Sequence, residues 1–312
     1  MIIVALVLAA FFATNMGGSG MSPAFAAAYG AGVTGQKRAA LLFGFFVLLG
    51  AFMAGGKVVT TISSGIVPQD LIDIKVTFII LLSAALSLFI ANVLRVSVST
   101  SSVTVFSLIG VGLYFKQLYF PTLVRVFAFW LVLPFLAYFL TYILGKIIIP
   151  LEERDWVRKH GYLLKIFVLV TGCYVAFSIG SNNVANAVGP LVASGILNKQ
   201  LGFLLIAPFF GLGGLLFRKI LETVGKEITG LGILGATING LVIGTLLLLS
   251  SLFGMPEPMV MLGATSVMGI GSVNNGHRFI ITHQVVKKIL SLWVISPLIS
   301  LAVTYLLLVL VR

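Results

Sequence analysis

The sequence predicts an all-α polytopic membrane protein made of two inverted-topology repeats of about five hydrophobic segments each, with broken helices or re-entrant segments at the centre. Three observations carry this: the composition, the run of apolar segments, and a self-similarity between the halves. Of 312 residues 59% are hydrophobic and 9% charged, with a mean hydropathy of +1.16. A soluble domain needs about a quarter of its residues charged to cover its surface, so lipid is the main solvent of this chain. The same arithmetic excludes a disordered chain, a collagen, a disulfide scaffold and an ordinary soluble enzyme. The net charge of +12 is scattered between apolar runs, which reads as a topology signal and not as a nucleic-acid surface.

Ten apolar segments follow in order: Ile2–Ala13 running into a Gly/Ser break, Ala39–Met53, Val76–Leu94, Val103–Phe115, Leu123–Ile149, Tyr162–Ile179, Leu201–Phe217, Ile233–Phe253, Val260–Gly271 and Ile289–Val311. A straight crossing takes about 20 residues. The segments at 2–13, 103–115 and 260–271 are shorter, as broken helices lining a cavity are. Met1–Ala13 has no Lys or Arg ahead of it, which a cleaved signal peptide requires, so it is expected to belong to the mature chain. Cys173 is the one cysteine, too few for a disulfide or a metal site.

If every segment crosses, the connections on one side hold 14 of the 20 basic residues, among them Lys37, Arg38, Arg95, Arg154, Arg158 and Lys159. By the positive-inside rule that side is cytoplasmic and both termini lie outside. The expected location is the cell membrane.

A polar stretch, Leu151–Gly161, divides residues 1–150 from residues 162–312 and is expected to be a cytoplasmic linker. Phe129-Trp130 to Pro134 followed by Thr141-Tyr142 recurs, 163 positions on, as Leu292-Trp293 to Pro297 followed by Thr304-Tyr305. The same offset carries Gly17-Gly18-Ser19-Gly20 onto Gly180-Ser181-Asn182-Asn183 and Gly32 onto Gly195. With smaller shifts, Leu108–Gly112 pairs with Val267–Gly271. Five segments per copy make the second enter from the opposite side, the inverted repeat of many secondary transporters, whose substrates sit near the midplane between the copies.

Gly180 to Pro190 is the most informative stretch, because Ser181, Asn182, Asn183 and Asn186 would be costly in lipid unless they cap a helix or face a polar cavity. Capping exposes the N–H groups and positive dipole end of the next helix to an anion; polar packing between helices is the plainer alternative. Gly18, Ser19 and Gly20, before Pro23, form the first-half equivalent. A second pair of polar elements, Ser97–Ser102 and Pro256-Glu257-Pro258, precedes short apolar runs. There Ser99, Thr100 and Ser101 can donate to an anion or cap their helix.

Gly180–Gly189 resembles the signature of the inorganic phosphate transporter family, Gly-Ala-Asn-Asp-Val-Ala-Asn-Ala-Phe-Gly, and Ser97–Ser102 is similar to its Pro-Val-Ser-Thr-Thr-His element. The resemblance spans both halves. It implies an inverted-repeat symporter for a tetrahedral oxyanion, a homodimer, and substrate contacts at Ser99, Thr100, Ser101, Asn182 and Asn186. The departures are specific. The signature aspartate is Asn183 here, the first copy reads Ser19-Gly20 for Asn-Asp with Pro23 for the later Asn, and the family glutamate survives as Glu222 but is Thr60 in the first copy. This pattern resembles the sulfate permease branch of the family.

Physical chemistry agrees with that choice. Near neutral pH phosphate keeps a P–OH donor that a buried carboxylate can accept, whereas sulfate has no proton to donate and suits a site of donors alone. The lost aspartates also remove hard-oxygen ligands for Na⁺, so H⁺ is the expected coupling ion, with Glu222 as its leading carrier and no cofactor. Glu222 equally suits an ion pair with Arg218 at i−4. His277 and His283 read as a solvated cytoplasmic face, and Glu257 as the end of a strained turn. The expected function is sulfate import, with thiosulfate or other oxyanions as possible further substrates; phosphate symport and a passive anion channel are the alternatives. An enzyme would need a nucleophile and base near a broken helix, which the apolar spans do not supply.

Overall fold

A computed structural model describes residues 1–93, 98–153, 161–217, 232–277 and 284–311. Among the described residues each of the ten apolar segments is helical, and no strand occurs. In order they are α1 (Ile2–Gly30), α2 (Gln36–Ala54), α3 (Gly56–Thr60) continuing into a π turn at Thr61–Gly65, α4 (Ile74–Val93), α5 (Thr100–Phe115) and α6 (Phe120–Ile148). The second half holds α7 (Gly161–Ala193), α8 (Lys199–Ile206), α9 (Pro208–Leu216), α10 (Gly232–Leu252), α11 (Met259–Asn275) and α12 (Gln284–Val311). By length and composition α1, α2, α6, α7, α10 and the paired α8 and α9 can each cross a membrane, while α4, α5, α11 and the last half of α12 form shorter apolar helices. Leu131, Phe135 and Leu310 project outward, more than half exposed, as side chains whose solvent is lipid do.

Two expectations about where helices break are corrected. α1 runs through Gly17–Gly20 and Pro23, and α7 runs through Ser181–Asn186 and Pro190, so neither polar stretch opens a helix. The reason is energetic: in an apolar surrounding a backbone that leaves the helix strands its polar groups, whereas small polar side chains can bond back to the turn before them. Asn15 Nδ2 donates to Phe11 O at 2.9 Å and Ser19 Oγ to Met16 O at 3.1 Å. The breaks lie instead before α5 and before α11. Val98 and Ser99 are buried at the first, and Gly254 through Pro258 at the second.

The sequence offset of 163 reappears as packing. α1 and α7 end in the same turn, with Gly32 (φ 68°) and Gly195 (φ 72°) in the left-handed conformation that glycine adopts without strain. Gly32 N–H bonds Tyr29 O and Gly195 N–H bonds Val192 O. α1 crosses α9 where Gly17 meets the Phe210 backbone and Gly213 meets that of Thr14; α2 crosses α7 where Gly180 meets Val47 O and Gly50 meets Phe177 O. Gly180 stands 163 positions after Gly17, and Gly213 the same distance after Gly50. A second set matches: Gly110 of α5 lies against Leu301 O and Thr304 of α12, while Gly269 of α11 lies against Tyr138 O and Thr141 of α6. Each half therefore packs on the other through equivalent glycines, and the buried polar stretch of α7 runs through the middle of that interface.

Candidate substrate site

α7 carries the polar residues on successive turns. Ser181, Asn182 and Asn186 are fully buried and Asn183 nearly so. Asn182 and Asn186 are four apart and share one helix face.

Asn182 is a brace. Its Nδ2 lies 3.0 Å from Ser250 Oγ, Ser251 Oγ and Met255 O, and its Oδ1 accepts the Glu257 N–H at 2.8 Å. Ser181 Oγ lies 3.0 Å from Ser251 Oγ and 2.7 Å from Ser178 O. These bonds tie α7 to the end of α10 and to the 254–258 junction, and Trp130 of α6 closes the junction by donating Nε1–H to Pro256 O at 2.7 Å. With its amide saturated by the protein, Asn182 positions backbone; the anion contact expected of it is not what its bonds provide.

Asn186 reaches the other junction. Its Nδ2 donates to Ser101 Oγ at 3.1 Å and Thr100 Oγ1 at 3.4 Å, the first residues of α5. Each hydroxyl thereby accepts from Asn186 and keeps its own proton for another acceptor. Ser99 caps the helix, its Oγ accepting the Ser102 N–H at 3.2 Å, so the capping alternative holds for this residue. The leading N–H groups of α5 have no carbonyl within the helix to bond, and they emerge beside these hydroxyls in a buried setting. Oδ1 of Asn186 and of Asn183 are buried without a hydrogen-bond partner. The result is a compact neutral cluster at a helix N-terminus, with hydroxyl and backbone donors of the kind that can hold a small anion and two amide oxygens left as acceptors.

Gly18, Ser19 and Gly20 are not part of it. A side chain on Gly18 would strike the Phe217 ring, Gly20 faces Phe43 and Ile179, and Ser19 bonds within its own helix. These glycines make room for neighbouring helices. Nor is the site two-fold: α11 follows Pro258 at its N-cap position, with Met259 and Val260 where α5 has Thr100 and Ser101. Glu222 and His283 lie outside the described residues. His277 is exposed and meets Tyr138 and Tyr142, in keeping with a solvated face.

Sequence reasoning missed the weight of Ser250, Ser251 and Glu257. Their only signal was polarity at the edge of an apolar run, and what they do depends on Asn182, about 70 positions earlier.

Comparison with known proteins places these features in context. The chain matches the profile of the phosphate transporter family over residues 16–159 and again over 151–304. It is 43% identical over 310 residues to the sulfate permease CysP of Bacillus subtilis, covering 97% of this chain and 86% of that protein. It is 25% identical over 303 residues to a putative phosphate permease of Methanocaldococcus jannaschii, covering 96% and 94% respectively. In fold it is similar to a solved sodium-dependent phosphate transporter, with a TM-score of 0.84 at 23% identity, over 100% of this chain and 99% of that one.

Proposed function

The chain belongs to the phosphate transporter family, and from that premise we propose that it imports sulfate across the cell membrane by proton symport, its two inverted repeats alternating access to one central anion site. The observation that carries the choice of anion is the bonding of Asn186 to Thr100 and Ser101. It frees two hydroxyl protons beside the start of α5 and leaves the motif without a carboxylate. Sulfate accepts on every oxygen and donates from none, so such a cluster matches it. The name of the Bacillus subtilis relative supports the same reading. In the proposed cycle Thr100, Ser101 and the leading N–H groups of α5 hold the ion, Asn186 keeps the hydroxyls turned toward it, and Asn182 holds the opposite junction against α7. The distribution of basic residues supports a reading with both termini outside.

The test is uptake of labelled sulfate into proteoliposomes containing the purified protein. Sulfate uptake is expected to exceed phosphate uptake, to resist a moderate excess of phosphate, and to rise when the outside is made acidic. Preference for phosphate would overturn the choice of anion, and a strict Na⁺ requirement would overturn the coupling.

A further inference from the structure

The 254–258 junction holds a carboxyl that the anion cluster does not use. Glu257 is 0% exposed, and neither carboxyl oxygen has a hydrogen-bond partner. The backbone around it is tied down: Met255 O and the Glu257 N–H bond Asn182, and Pro256 O bonds Trp130. The residue is thus fixed in place while its ionisable end is left unpaired. Asn182, which accepts its N–H, and Asn186, which bonds the hydroxyls of α5, lie one turn apart on α7, about 5–6 Å of rise. Glu257 also occupies the end of the second junction, where the opposite copy has its Ser/Thr element.

No described cation compensates it. Of the elements packed around the junction, α10 and α11 carry no charged side chain. α3 contributes Lys57, whose Nζ donates to Leu252 O at 2.9 Å. α6 contributes Arg125, bonded to Pro121 O and Thr122 Oγ1, with Lys146, Tyr138 and Tyr142 further along; α7 contributes Tyr162, Lys165, Cys173 and Tyr174. A carboxylate sealed from water and from donors is costly, and one near a dianion is costlier still.

We infer that Glu257 is the proton carrier of the symport: its carboxylate takes up one H⁺ as sulfate binds, and the neutral acid gives it back when the anion leaves on the other side. The anion keeps both charges, and no bond other than that O–H forms or breaks. The inference rests on the sulfate reading above and assigns to Glu257 the role that sequence alone gave to Glu222.

Calorimetry of sulfate binding to the full-length protein, in buffers of different ionisation enthalpy, counts the protons taken up. Wild type is expected to absorb about one H⁺ per sulfate at alkaline pH, with affinity falling up to about tenfold per pH unit as pH rises. Glu257→Gln is expected to bind sulfate without proton uptake, to exchange labelled sulfate across liposomes, and to lose accumulation driven by a pH gradient. Sulfate binding by wild type with no proton uptake overturns the inference without need of the variant, as does gradient-driven accumulation that survives in Glu257→Gln. Wild type that binds phosphate and not sulfate, with binding lost in the variant, makes the carboxyl an acceptor for P–OH and overturns the inference together with the choice of anion. Absence of any sulfate binding by wild type overturns the sulfate reading itself.

Discussion

Replacing Gly180 with alanine tests the backbone contact on which the α2–α7 crossing depends. A Cβ at Gly180 falls 2.0 Å from Val47 O, and its neighbours there are backbone atoms that cannot rotate aside. Real Cβ contacts of this kind begin near 3.0 Å, so the two helices must part locally by about 1 Å. A gap of that size forfeits about a quarter to a half of the dispersion energy of the contacts it opens, and overpacking of a tight interior costs about 1–3 kcal/mol. Gly180→Ala is therefore expected to lower the thermal unfolding midpoint in detergent by several degrees. It is also expected to reduce sulfate uptake, since Asn182 and Asn186 move with α7. Gly17→Ala, at the equivalent crossing with Cβ 2.1 Å from Phe210 O, should cost a similar amount. Gly56→Ala is the control: its Cβ meets nothing within 4 Å in a helical residue, so stability should hold or rise by about 0.5–1 kcal/mol. If Gly180→Ala unfolded at the same temperature as wild type and Gly56→Ala, helix contact through bare backbone would not be what joins the halves.

Two further outcomes are expected. Asn186→Asp supplies an acceptor where the amide donates, drawing the Thr100 and Ser101 hydroxyl protons toward itself, and should abolish saturable sulfate uptake while the purified protein still unfolds cooperatively. Ser99→Ala removes the cap of α5 and should cost about 0.5–2 kcal/mol of stability, seen as an earlier denaturation midpoint, with sulfate affinity weakened less than by Asn186→Asp.

The helices were legible because apolar runs of this length have few alternatives in lipid; all ten segments are helical. The repeat was legible because Gly17, Gly32 and Thr141 recur as Gly180, Gly195 and Thr304, and these positions prove to be helix crossings and helix ends. Of the breaks, those before 103–115 and 260–271 were legible, as short apolar runs behind polar stretches, and those expected at 15–23 and 180–190 are absent. Glycine, serine and asparagine at 15–23 and 180–190 look like loop residues, yet each can stay helical when its side chain bonds one turn back or a neighbouring backbone fills the space. Of the site, Ser99, Thr100, Ser101 and Asn186 could be picked from the sequence, and the structure brings them together. Glu257 could not, since its burial follows from Asn182 and Trp130, which hold its neighbours from far along the chain.

The two junctions differ in what each half of the chain contributes to them. The hydroxyls of the anion cluster come from the first copy and the asparagine from the second, while the first copy has Pro23 for that asparagine and the second has Met259 and Val260 for those hydroxyls. A symmetric pair of first halves would hold two sets of hydroxyls and no amide to orient them; a pair of second halves, two amides and nothing to orient. One half supplies the hydroxyls and the other the amide that orients them. The cluster belongs to neither half alone.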